Sequence, residues 1–167
     1  MEIPILVINI GWQDHLAFAL RQARISNRQS PVCFISDVNH QLPEDCRSFS
    51  IANYFSGAAE FGKHYYHFSA YDIGYELFCF QRWFVIRDFM RAGGLDRCFY
   101  IDSDVLLFSN ITEEHRNFED YDMTLSCGHC GHVTFINNRE VIEAFCEYLM
   151  TVFRDPNKTE IRDVLSD

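Results

Sequence analysis

Basic charge is scarce in this sequence: 14 lysine and arginine residues stand against 24 aspartate and glutamate residues in a chain of 167, a net charge of −10. That balance excludes nonspecific binding to nucleic acid or to an anionic membrane surface, both of which need a basic face. It also means that a phosphate-bearing ligand needs a metal to hold it here. No apolar run approaches the about 18 residues of a membrane span, and no basic and apolar leader opens the chain. The seven cysteines are odd in number and lie mostly inside apolar segments rather than between them, which is not the pattern of a disulfide framework. Reduced thiols packed as small hydrophobes in a soluble, cytoplasmic protein are expected instead. Internal repeats, low-complexity stretches and linkers are lacking as well.

What is present describes one folded unit. Hydrophobic residues make up 48% of the chain and aromatics 16%, enough for a real core at this length, so a single domain over 1–167 is expected. Ile3–Ile10 is nearly all apolar and mostly β-branched, a strand buried on both faces with Pro4 tolerable near its start. Gly11 ends it. From Trp12 to Ile25, Leu16, Ala19, Leu20 and Ala23 recur at helical spacing. Pro31–Ile35 repeats the buried-strand pattern and closes on Ser36-Asp37, so the opening is a βαβ unit with parallel strands.

Residues 38–70 carry only two short β-prone pieces, around Phe49-Ser50-Ile51 and Tyr65–Phe68. Asp72–Ala92 predicts a helix apolar on most sides and therefore deep, stopped by Gly93-Gly94. Val105–Phe108 reads as a further short extended piece, and Tyr121–Ser126 and Gly131–Asn137 as two more strands. Arg139–Phe153 reads as a helix with one buried stripe.

The informative stretch is Arg97–Phe108, an apolar run interrupted by Asp102 and Asp104. Carboxylates are rarely buried unless paired or bound to metal. In an extended chain, residues two apart point to one face, so both can reach one ion. Hard oxygen donors of this kind suit Mg²⁺ or Mn²⁺, which complete their shell with water and substrate phosphates.

Phe99-Tyr100-Ile101-Asp102-Ser103-Asp104-Val105-Leu106 resembles the Asp-x-Asp signature of the metal-dependent glycosyltransferases of the Rossmann-like A fold. The preceding Phe80-Gln81-Arg82-Trp83-Phe84 and the later Gly131–Asn138 are similar to the helix and the acceptor-side strand that flank that signature. The resemblance implies an α/β fold, a mostly parallel sheet with helices on both faces. It implies transfer of a sugar from a nucleotide-sugar donor, UDP-linked by family default, to an acceptor that is a glycan, lipid or protein. Asp104 would ligate the metal that bridges the diphosphate, and Asp102, with Ser103 between them, would contact the ribose or the metal. Asn9, Gly11 and Asp37, at the first two strand ends, would hold the base and ribose. Arg82 would contact the diphosphate or the sugar, unless it is a helix arginine paired with Asp37 or Asp88. Family members continue into a portion that supplies a further ligand, commonly a histidine. This chain stops at Leu165-Ser166-Asp167 and is read as a truncated or minimal form, with His129 and His132 as substitutes only if the strand order brings them near Asp104.

Three rivals stay open. Haloacid-dehalogenase phosphatases also place Asp-x-Asp after an apolar strand, which would make Asp102 a nucleophile. Leu106, the absence of the motif from the chain start, and Lys158 as the only later lysine depart from that family. Cys127-Gly128-His129-Cys130 is similar to the active site of protein disulfide isomerases, but a strand rather than a helix follows it. The third rival is a noncatalytic nucleotide-sugar-binding module.

Overall fold

The β-branched opening does form a strand, β1 (Ile5–Asn9), followed by helix α1 (His15–Ser26) and strand β2 (Val32–Ser36). The computed structural model describes residues 2–67, 69–127 and 130–155. Next come β3 (Cys46–Ser50), a 3-10 turn (Ile51–Tyr54), α2 (Ser56–Gly62), α3 (Ile73–Gly93) and β4 (Cys98–Ile101). After α4 (Ile111–Glu114) and a second 3-10 turn, β5 (Val133–Ile136) and α5 (Arg139–Arg154) complete the order. The five strands make one sheet, β3-β2-β1-β4-β5, parallel throughout except for the antiparallel β5.

Strand alternation sorts the side chains into two layers. Leu6, Ile8, Cys33, Ile35, Cys98, Tyr100 and Ile136 pack against α2, α3 and α5. Ile5, Val7, Val32, Phe34, Phe99, Ile101 and Phe135 pack on the other side against α1 and α4. The fold is therefore α/β with helices on both faces, as the buried runs of β1, β2 and β4 require. Each fully buried Leu, Ile or Phe in these layers contributes about 1.5–3 kcal/mol.

The boundaries of α3 follow from its ends. The Asp72 carboxylate accepts from the Tyr75 N–H at 2.9 Å, and Gly94 takes the left-handed φ of +60° that closes the last turn. α1 begins at His15 rather than Trp12. The Asn9 amide donates to the carbonyls of Ile10 and Gly11 and to Gln13 Oε1, which holds the intervening residues in a loop.

Three expected extended pieces differ. Val105–Phe108 is irregular, with exposed Leu106 and Phe108 flanking buried Leu107. Tyr121–Ser126 contributes only isolated bridges, Met123 to Ile136 and Ser126 to Cys130, because its polar residues turn toward solvent and toward β5. β3 has little of the expected apolar content: Arg47, Ser48 and Ser50 are exposed, and it pairs on one side only, as the sheet's edge.

All seven cysteines are free. Burial raises the Cys33 thiol from 9.0 to about 11 and the Cys146 thiol from 9.0 to about 12, with nearby charges making smaller contributions. A thiol that holds its proton more tightly when folded contributes stability that is complete below its unfolded pKa and lost as pH rises toward the folded value. The thiols should therefore leave denaturant midpoints unchanged between about pH 7 and 8 and make them fall from pH 9.0 toward 11, a fall reduced in Cys33→Ala relative to its own neutral-pH midpoint.

Gly131, just before β5, lies so close to the Trp83 ring that an added Cβ would collide with two of its carbons. Gly131→Ala should cost about 1–3 kcal/mol in urea unfolding, with a shift in Trp83 fluorescence. A cost below 0.5 kcal/mol would mean that the contact is not tight.

Candidate active site at the carboxyl ends of the strands

β1, β2 and β3 follow one another outward, and the chain then returns to place β4 on the opposite side of β1. This reversal opens a crevice beyond the carboxyl ends of β1 and β4, the place where open α/β sheets bind ligands. Ile5 lies opposite Phe99 and Val7 opposite Ile101. Continuing that register by two residues sets Asn9 level with Ser103, and Asn9 is itself paired with Ser36. The sheet thus gathers most of the sequence-expected site residues at one rim.

Asp102 and Asp104 do not share the face of a strand. β4 ends at Ile101, and the Val105 N–H donates to the Asp102 carbonyl at 3.1 Å, closing a turn over Asp102-Ser103-Asp104-Val105. Aspartate and serine favour such turns over a continuing ladder. The Asp102 N–H still donates to the His132 carbonyl at 2.8 Å, so Asp102 is anchored at the end of the β4–β5 pairing while Asp104 is exposed.

Two residues after Tyr100, Asp102 emerges on the side of the sheet covered by α3. There Asp102 Oδ1 accepts from Arg82 Nη1 and from the Tyr100 hydroxyl, both at 2.6 Å. Arg82 Nη1 lies 3.3 Å from the same hydroxyl, and the guanidinium carbon sits 5.5 Å from the ring centroids of both Trp83 and Tyr100. Arg82 therefore pairs with neither Asp37 nor Asp88; Arg87 takes Asp88 at 2.8 Å. Burial works against the charge of Arg82, but Tyr100 and Asp102 outweigh it and raise its pKa above the ordinary arginine value. Tyr100 is pushed well above the usual phenol range by burial, with Arg82 pulling down and Asp102 up. It stays protonated and can only donate to Asp102. Arg82 Nε is buried without a hydrogen-bond partner among the described residues.

On the β1–β2 side of the same rim, Gly11 has a φ of +74°, and its N–H donates to Asp37 Oδ1 at 2.7 Å. Asp37 and Ile10 line a shallow depression of about 530 Å³ with Ile51, Phe55 and Ala59. A wider one, about 670 Å³, lies on the outer flank of α1 beside Arg21, Arg24 and Arg28, away from the strand ends. The smaller lies at the strand ends, where Ile10 and Asp37 follow β1 and β2. Sequence reading passed over Trp12 and His40, whose rings stack at 3.7 Å and 3° beside Gly11 and Asp37. The only signal was a tryptophan directly after the glycine that ends β1.

His132 comes to the site through its backbone, while its ring Nδ1 lies 2.7 Å from Cys130 Sγ. Gly128 and His129 lie outside the described residues. Ser126 and Cys130 exchange both backbone hydrogen bonds, and the chain then runs on into β5.

Among the described residues, no group of three or more His, Cys, Asp and Glu side chains is assembled to hold a metal ion. Two carboxylates nonetheless fit a cation of the Mg²⁺ or Mn²⁺ type, which takes one or two protein carboxylates and fills its shell from water and phosphate. Exposed Asp104 is the freer donor, since one oxygen of Asp102 is already committed to Arg82 and Tyr100. No protein-family model matches the chain, and no curated protein matches it in sequence.

Arg82→Met should lower stability by about 1.5–3 kcal/mol, because Asp102 loses a charge-assisted hydrogen bond in a half-buried setting. Tyr100→Phe should cost about 1 kcal/mol, and the double variant less than the sum. Strict additivity in urea denaturation would show that the three groups do not act as a cluster.

Proposed function

We propose that this protein is a metal-dependent glycosyltransferase that takes a UDP-linked sugar and passes it to an acceptor hydroxyl, on the Rossmann-like fold of the A-type enzymes. The observation that carries this reading is the pair Asp102 and Asp104 just beyond the carboxyl end of β4, beside the β1–β4 reversal. Asn9, Gly11 and Asp37 stand across the crevice, where a nucleoside would lie.

Each side chain has a task in the transfer. In that reaction the acceptor oxygen bonds to the anomeric carbon, the bond to the diphosphate breaks, and the proton of the acceptor hydroxyl passes to the departing diphosphate or to water. The main demand is to stabilise negative charge on the departing group. A divalent cation held by Asp104 and Asp102 would supply that neutralisation. Arg82 adds a permanent positive charge beside them. Asp102 is oriented by the Arg82 and Tyr100 contacts, and its N–H bond to His132 fixes the backbone.

The same contacts count against the phosphatase alternative. A nucleophilic Asp102 would have to attack with a carboxylate whose Oδ1 already accepts two short hydrogen bonds. Lys158, the later lysine that alternative needs, lies outside the described residues.

Melting temperature followed with UDP, with and without Mn²⁺, tests the reading. Ligand at about 100 times its dissociation constant adds about 2.7 kcal/mol to stability. The rise should require Mn²⁺ and vanish in Asp104→Ala. A nucleotide response indifferent to metal, or one that survives Asp104→Ala, would remove Asp104 from the role.

A further inference from the structure

Among the described aromatic residues between 65 and 89, two sets stand apart. Trp83, Phe84 and Phe89 belong to the core beneath the sheet, with Tyr65, Phe78 and Phe80 packed against it. Tyr71 and Tyr75 do not: they are 71% and 64% exposed. Their ring centroids are 6.3 Å apart with planes inclined at 54°, an open V facing solvent.

This pair is coupled to the carboxylate site by α3. Tyr75, Cys79 and Arg82, spaced by four and then three residues, fall on one helical stripe that ends at the Arg82–Asp102 contact. Tyr75 has its pKa raised, first by Cys79, with Asp102 adding to the effect and Arg82 opposing it. The segment before α3 is held in place by Glu76, which accepts from the Tyr65 hydroxyl at 2.8 Å and from Ser69, with His67 at 3.7 Å. Asp72 caps the helix between the two tyrosines.

We propose that Tyr71 and Tyr75 form a stacking platform for an uncharged sugar ring of the acceptor, so that the acceptor is an oligosaccharide or glycan chain. The assignment rests on the transferase reading for the word acceptor, while the platform itself rests on the tyrosines. Tyrosine offers a rigid apolar face with a polar tip, which matches the C–H face and hydroxyl rim of a pyranose. The exposed carboxylate of Asp72 beside the rings can accept a hydroxyl hydrogen bond and repels anionic lipid headgroups and acidic peptides, as does the net charge of −10.

The test uses the full chain, saturation-transfer NMR, and a panel of di- and trisaccharides of glucose, galactose and N-acetylglucosamine as probes. At least one should bind, and binding should weaken about 10-fold in Tyr71→Ala/Tyr75→Ala, the loss expected for two stacking contacts of about 0.5–1.5 kcal/mol each. Tyr75→Phe, which keeps the ring, should stay within about twofold, and all variants should keep the parental melting temperature because both positions are exposed. The platform is overturned if no member of the panel binds, if the double variant binds as well as the parent, or if phosphatidylcholine vesicles bind through the same tyrosines instead. Saccharide binding through the tyrosines without any response to Mn²⁺ and UDP would uphold the platform and overturn the transferase reading.

Discussion

A carboxylate at the end of a buried strand has to be held by something, and in this molecule that something is Arg82. The side chains of Arg82 and Asp102 are only 15% and 27% exposed, so neither charge is fully compensated by water. Their contact fixes more than two charges. It joins the middle of α3 to the end of β4, and through the Tyr100 hydroxyl it ties the core layer beneath the sheet to the rim above it. Trp83, beside Arg82 on the helix, packs on Tyr100 and Phe145 and leaves room only for a glycine at position 131. The rim is thus positioned by packing that begins in the core.

The parts legible in the sequence were those where one physical signal dominates. β1, β2 and β4 are runs of branched and aromatic residues that only a doubly covered parallel sheet can bury, and α3 and α5 have both period and caps. β3 showed only as a β-prone piece around Phe49-Ser50-Ile51, because an edge strand needs no apolar pattern: Cys46-Arg47-Ser48-Phe49-Ser50 is fixed by its ladder to β2. The turn at Asp102 escaped for the opposite reason. Period-two reasoning assumed that the strand continues, whereas two aspartates and a serine end it. The partner of Arg82 was beyond sequence reasoning altogether, since it depends on which face of β4 meets α3.

Charge in this chain is unevenly distributed by consequence rather than by count. The molecule is acidic overall, yet the crevice carries an arginine whose positive charge its neighbours Tyr100 and Asp102 reinforce. That arginine stands against Asp37, Asp102 and Asp104, so an anionic ligand would be repelled at long range and at the rim alike without a cation between them. The Gly11–Asp37 bond adds a closed corner to that rim: the left-handed glycine turns its N–H toward a carboxylate on the neighbouring strand, so the ends of β1 and β2 move as one.

The polar edge strand bears on how this protein behaves in a crowded solution. β3 leaves one side of its backbone unpaired, the surface on which a strand of another molecule could add. Arg47 and two exposed serines occupy that short strand in place of the Val and Ile of its neighbours. A visiting strand would have to desolvate a guanidinium and two hydroxyls for a ladder only five residues long. The weakest-looking strand of the sheet is in this sense its guard against polymerisation.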